Sequence, residues 1–204
     1  MNTVRGAPMD STARFLFREN DPIMTSRHFR QYEFWWSGDR SERFWIEQLK
    51  TDAYGDKLIA PDDPKYAIMH GVEVGDIIFG WHSERHPDAG PKRGGIYALS
   101  RVIGRVRPAD QLWDDKLFLE IPVTRRTFLQ RPILLHDLRN LESHFRTHQE
   151  MRGEKVHPLP LYSPWQYPAT GLKPMMRYLT KLTAHDVELI GQHHPQLIPA
   201  LATA

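Results

Sequence analysis

The 204-residue chain contains no cysteine, which excludes disulfides and zinc–thiolate centres. No window of about 18 apolar residues occurs, so no helical membrane span is expected. The N-terminal stretch also lacks the apolar centre of a signal peptide. The absence of cysteine fits a cytoplasmic protein. No dinucleotide-binding glycine fingerprint, phosphate-binding glycine loop or nucleophile elbow is written anywhere, which argues against the commonest nucleotide-dependent and acyl-transfer enzymes. Net charge is small as well, with 27 Lys and Arg against 25 Asp and Glu. It is unevenly spread, however. Residues 85–131 hold ten Lys and Arg against five Asp and Glu, so the rest of the chain is net acidic. Such asymmetry suits a side that faces phosphates.

What the chain does have is aromatic surface. The stretch "QYEFWWSGDRSERFWIEQLK" places Trp35, Trp36 and Trp45 within twenty residues. Residues 1–30 read as a loosely docked arm and 31–36 as a strand. Asp39 followed by Glu42 resembles a capping box, which predicts a short helix with Trp45, Ile46 and Leu49 on one face. "GDKLIAPDDP" reads as a short extended piece entering a loop. In "EVGDIIFGWHS", Ile77, Phe79 and Trp81 alternate with Ile78, Gly80 and His82, a strand pattern. The Gly and Pro content of "ERHPDAGPKRGG" predicts a loop. A long strand follows over 95–106, with Gly104 as a bulge. Leu117, Leu119, Ile121 and Val123 alternate in another. A helix is expected after Pro132, on Leu134, Leu135, Leu138, Leu141 and Phe145. The proline-rich 156–176 region should wrap the body irregularly. Thr183 and Asp186 cap a last helix that ends near Pro195, leaving 191–204 as a tail. Strands outnumber helices without alternating regularly with them, which indicates an α+β fold around a compact antiparallel or mixed barrel. No internal repeat is visible.

Adjacent tryptophans cannot both enter one core from a single strand. Small or polar residues follow two of the aromatics: Ser37 and Gly38 after Trp36, His82 and Ser83 after Trp81. Aromatic walls beside polar donors suit a flat heteroaromatic ligand.

The order of "FWWSGDRSERFW", "YGDKLIAP", "VEVGDIIFGWHS", "GGIYALSRVIGRV", "FLEIPVTRRTFLQRPILLHDL" and "YLTKLTAHDVELI" resembles the EVE domain of the PUA-like superfamily, across residues 31–190. The pair "VGDIIFGWHS…GGIYALSRV" carries most of that likeness. The chain departs from the family pattern in the length of its 50–70 connection and in the 156–176 insertion. The resemblance implies a PUA-like curved β-barrel of five to six strands with peripheral helices. It also implies recognition of a modified base, in several bacterial cases as the reader half of a modification-dependent restriction nuclease. The ligand it implies is double-stranded DNA with methylated or hydroxymethylated cytosine; RNA is an alternative.

Inspecting such a base requires extruding it from the stack into a pocket. The expected pocket comprises Trp36, Ser37, Tyr54, Leu58, Trp81, His82 and Ser83, with Trp36 and Trp81 facing each other. Phosphate contacts fall to Arg40, Arg43, Lys57, Lys92, Arg93, Arg125 and Arg126. A nuclease domain or subunit is a possible partner; no cofactor, metal or membrane is expected. A competing reading is a metal-dependent nuclease, since Pro87-Asp88 and Asp114-Asp115-Lys116 spell PD…DxK, with Asp88, Asp114 and Lys116 as its working groups. Here the Pro-Asp lies in a Gly/Pro loop instead of at a strand end, which disfavours it. His144 and His148 are spaced four apart but lack a metalloprotease glutamate, so both are expected as surface histidines. His193-His194 carries no motif.

Overall fold

The computed structural model describes residues 34, 36–49, 56–83, 94–110, 117–153, 163–175 and 177–204. Ten strands are found among them: β1 Phe44–Leu49, β2 Lys57–Pro61, β3 Ile77–His82, β4 Gly95–Arg101, β5 Arg107–Pro108, β6 Phe118–Pro122, β7 Thr127–Leu134, β8 Trp165–Gln166, β9 Lys173–Pro174 and β10 Leu179–Leu182. A 3-10 helix runs over Pro64–Gly71, and the α-helices are α1 Leu135–Arg139, α2 Glu142–Gly153, α3 Ala184–His193 and α4 Leu197–Thr203.

Five strands form the main sheet in the order β10-β1-β3-β4-β7, and three form a second in the order β2-β6-β5. β1 runs parallel to β3, and the other pairings are antiparallel. Two cores result. Ile46, Ile77, Phe79, Trp81, Ile96 and Ile133 pack on Leu138, Phe145, Val187 and Leu197, between the main sheet and the helices. Trp45, Ile78 and Leu179 point the other way, onto Leu58, Ala60 and Ile121 of the second sheet. Consecutive residues of β1 thus enter different cores, as a strand covered on both faces requires.

The two sheets do not join in a closed hydrogen-bonded barrel among the described residues. One margin is tied by side chains and the other by the backbone, where the Thr124 amide donates to the Arg101 carbonyl at 2.8 Å and the Ile103 amide to the Pro122 carbonyl at 3.0 Å. The Tyr178 hydroxyl donates to Glu47 Oε1 at 3.0 Å and accepts from the Ile59 amide at 2.7 Å. At the opposite margin Val102 bridges to Val123, and the Arg101 amide donates to Thr124 Oγ1 at 2.9 Å.

Several expectations are corrected. Residues 31–33 and Trp35 lie outside the described residues, but Phe34 and Trp36 sit in a turn, with Ser37 and Asp39 amides donating to their carbonyls. The predicted helix at 39–49 is strand β1. Asp39 folds back on Ser41, while Glu42 accepts from the Ala184 amide at 3.0 Å and so caps α3 instead. β4 ends at Arg101, and Gly104 is no bulge: a Cβ there would meet Pro122 Cγ at 2.9 Å. Pro132 lies inside β7, and the helix expected after it breaks into α1 and α2 at Asn140. β6 belongs to the second sheet. The stretch read as a tail holds α4, whose Leu197 is fully buried. Thr183 and Asp186 form the expected capping box. No helix among the described residues is long and apolar enough to cross a membrane.

Candidate nucleic-acid interface

The two tryptophans expected to face one another occupy different cores. Trp36 stacks on Phe34 with ring centroids 4.7 Å apart, meets Trp45 edge-on at 5.2 Å, and donates from Nε1 to the Gly71 carbonyl at 3.1 Å. Gly71 permits this approach, since a Cβ there would meet Phe34 at 2.8 Å. Trp81 lies across the main sheet, edge-on to Trp165 at 6.2 Å. Leu58 is fully buried between the sheets. Ser37 is exposed, its hydroxyl accepting from the Phe34 amide at 3.0 Å. Tyr54 lies outside the described residues. Among the described residues of that set, the sequence neighbours His82 and Ser83 stay together, at the end of the middle strand of the main sheet.

That strand end is shaped by its neighbours. Leu49, His82, Gly95 and Leu134 form one row across β1, β3, β4 and β7. Gly95 is needed in this row, because a Cβ would meet the Ile133 carbonyl oxygen at 2.6 Å. One step further along, the register of β4 shifts against both neighbours. Ile96 pairs with Trp81 and Ile133, whereas Ala98 pairs with Gly80 and Phe128. Tyr97 lies at this double shift. Its ring stacks on the His82 imidazole with centroids 4.5 Å apart and planes 9° from parallel. Ile96 and Ala98 are fully buried while Tyr97 is half-buried. Beyond this end the chain enters 50–55 after β1 and 84–93 between β3 and β4.

The expected phosphate contacts separate by environment. Arg40 and Arg125 are exposed. The Arg43 guanidinium pairs with Asp76 at 3.0 Å. Lys57 and Arg107 flank the buried Glu120 carboxylate at 2.9 and 2.8 Å. Burial pushes Glu120 up, but these two cations outweigh it and hold the carboxyl below its usual range. The hydrogen bond to Glu120 in turn raises Lys57. Arg126 is no surface cation: its side chain is 5% exposed and it pairs with Glu47 at 3.2 Å. Burying that pair requires both charges together, since either alone would be stranded. Lys92 and Arg93 lie outside the described residues.

The catalytic alternatives gain nothing here. Asp88, Asp114 and Lys116 are outside the described residues, and among the described ones no three His, Cys, Asp or Glu gather as metal ligands. His144 is exposed, but His148 is half-buried, with its ring 4.1 Å from that of His185 and its Nδ1 3.8 Å from Asp186. His148 therefore faces α3 and does not converge with His144. Sequence reasoning missed Tyr97. Its one available signal is an aromatic two residues after the Gly94-Gly95 pair. It also missed Lys181, which is 1% exposed and lies over the Trp45 and Trp36 rings at 4.6 and 5.6 Å.

No family model and no curated protein matches the chain. Solved structures similar to it include a Pseudomonas putida protein at 14% identity and TM-score 0.46, covering 74% of this chain and 98% of that one. Another is human THYN1 in complex with DNA containing 5-methylcytosine, at 12% identity and TM-score 0.43, covering 75% and 96%. A third is the N-terminal domain of Staphylothermus marinus McrB, at 12% identity and TM-score 0.43, covering 74% and 94%. These are distant likenesses.

Proposed function

We propose that this protein binds DNA and reads a modified base, methylated or hydroxymethylated cytosine, received at the end of β3. The observation that carries this reading is the retention of His82 and Ser83 together at the end of the middle strand, beside the stacked Tyr97. The EVE-like wording of the two segments that build this end, "VGDIIFGWHS" and "GGIYALSRV", supports it. The imidazole and the phenol each offer a planar face of the kind on which an unstacked base stacks, and such stacking contributes about 1–3 kcal/mol per base. Ser83 follows directly where the strand ends, half-buried, and we assign its hydroxyl to the base as well. Tyr54, Lys92 and Arg93 belong to the segments that leave this end, and we assign them to the base and its flanking phosphates. Trp36 and Trp81 act as packing on either side of the sheet that carries the site.

Binding should be metal-independent and should weaken with salt, at a log–log slope of about −0.9 per phosphate contact on duplex DNA. The test is binding in EDTA across a salt series, with modified DNA and RNA of the same sequence in competition. Preference for RNA would redirect the reading to an RNA ligand. Strand cleavage that requires a divalent ion would restore the nuclease reading.

A further inference from the structure

We propose that Tyr97 holds the place of the base: its ring covers His82 in the free protein and moves aside so that the incoming base lies between the two. This rests on the base-reading function above and names the residue that decides how a base is received.

The His82 and Tyr97 rings lie 4.5 Å apart between centroids, with 9° between their planes. That is the geometry of two stacked aromatic planes, one of which a base can replace. A third ring between them would require the two planes to part to about twice the ordinary contact distance of about 3.5 Å. One of the two must therefore move. His82 cannot do so cheaply, being 1% exposed and set in the middle strand, paired with Leu49 on one side and Gly95 on the other.

Tyr97 is placed to move. The register of β4 shifts at it on both sides, towards β3 and towards β7. Such irregularities loosen the local ladder and re-aim a side chain. The strand around it is anchored. Ile96, Ala98 and Leu99 are fully buried, and Gly95 lies against β7 with no room for a Cβ. Displacement can therefore be confined to one residue, without the sheet giving way.

The experiment uses the full chain, a duplex with one central 5-methylcytosine and the matched unmodified duplex. In the free protein the His82 ring protons should be shifted upfield in NMR spectra by the Tyr97 ring, and Tyr97→Leu should abolish that shift. Adding the modified duplex to wild type should change it, while the unmodified duplex should not. Tyr97→Phe should keep wild-type discrimination, and Tyr97→Ala should reduce it about 5- to 150-fold, the span of one lost stacking partner. If Tyr97→Ala discriminates like wild type, or the His82 signals do not respond to modified DNA that binds, the placeholder role is wrong though the reading of modified DNA stands. If wild type itself does not discriminate, both fall. Should Tyr97→Ala not fold, Tyr97→Leu and the NMR response of wild type decide the matter alone.

Discussion

Glu47 and Arg126 form an ion pair at 3.2 Å with each side chain only 5% exposed, in the seam where the two sheets meet. Tyr178 donates to the other oxygen of the same carboxylate. The neighbouring Arg125 is exposed. Two adjacent arginines thus serve different ends, one internal and one at the surface.

Arg126→Ala is therefore expected to destabilise the protein by about 3–5 kcal/mol, since it strands a buried carboxylate. Arg125→Ala should leave stability within about 0.5 kcal/mol of wild type. If Arg125 touches a phosphate, its removal should lower the salt slope of binding by about 0.9. Urea unfolding and salt titration of the two single mutants check this. Equal destabilisation by both would contradict the seam as described.

Trp36→Ala should behave as a core truncation, costing about 3–5 kcal/mol, because the indole fills the space between Phe34, Trp45 and Gly71. This reverses the assignment suggested by its position before Ser37 and Gly38. Chemical denaturation beside DNA affinity distinguishes the two. A stable Trp36→Ala protein that loses only its base preference would return Trp36 to the site.

The contact of α2 with α3 should carry opposed pH dependences. Burial raises the Asp186 carboxyl from 3.8 to about 6. Between those values the folded protein retains a proton that the unfolded chain has released, so this group's contribution falls as pH rises. Burial, with the neighbouring His185 second, lowers His148 from 6.5 to about 4. There the unfolded chain holds the extra proton, and the contribution grows as pH rises. His148→Gln should therefore make stability decline from about pH 4 to 6. Asp186→Asn should make it climb from about pH 4 to 6.5. Thermal unfolding across this range gives the answer, and profiles unchanged from wild type in both mutants would rule out the linkage.

Alternation and capping made part of this fold legible. The Ile77-to-His82 pattern assigns Trp81 to the same face as Ile77 and Phe79, and all three lie in the core under the helices. Thr183 and Asp186 mark a helix start that depends on four consecutive residues only. β1 was unreadable for a physical reason. Trp45, Ile46 and Leu49 satisfy a helical spacing, and only burial on both faces, unknowable before the second sheet is placed, makes them a strand. Glu42 misled likewise, since the amide it accepts from lies 142 residues away. His82 and Ser83 were found because they end a clear strand. Tyr97 was not, because a register shift depends on both neighbouring strands and leaves no mark in the alternation. The Arg125-Arg126 dipeptide gives no hint which of its members turns inward.

If the end of β3 reads a modified base, affinity must depend on the chemistry of one base in the duplex. Equilibrium affinities are determined for otherwise identical duplexes carrying cytosine, 5-methylcytosine, 5-hydroxymethylcytosine or N6-methyladenine, at two salt concentrations. The expected result is tighter binding to a modified cytosine, with all affinities falling as salt rises but their ratio preserved, because phosphate contacts are common to every duplex. Equal affinity for all four duplexes at both salts would contradict it.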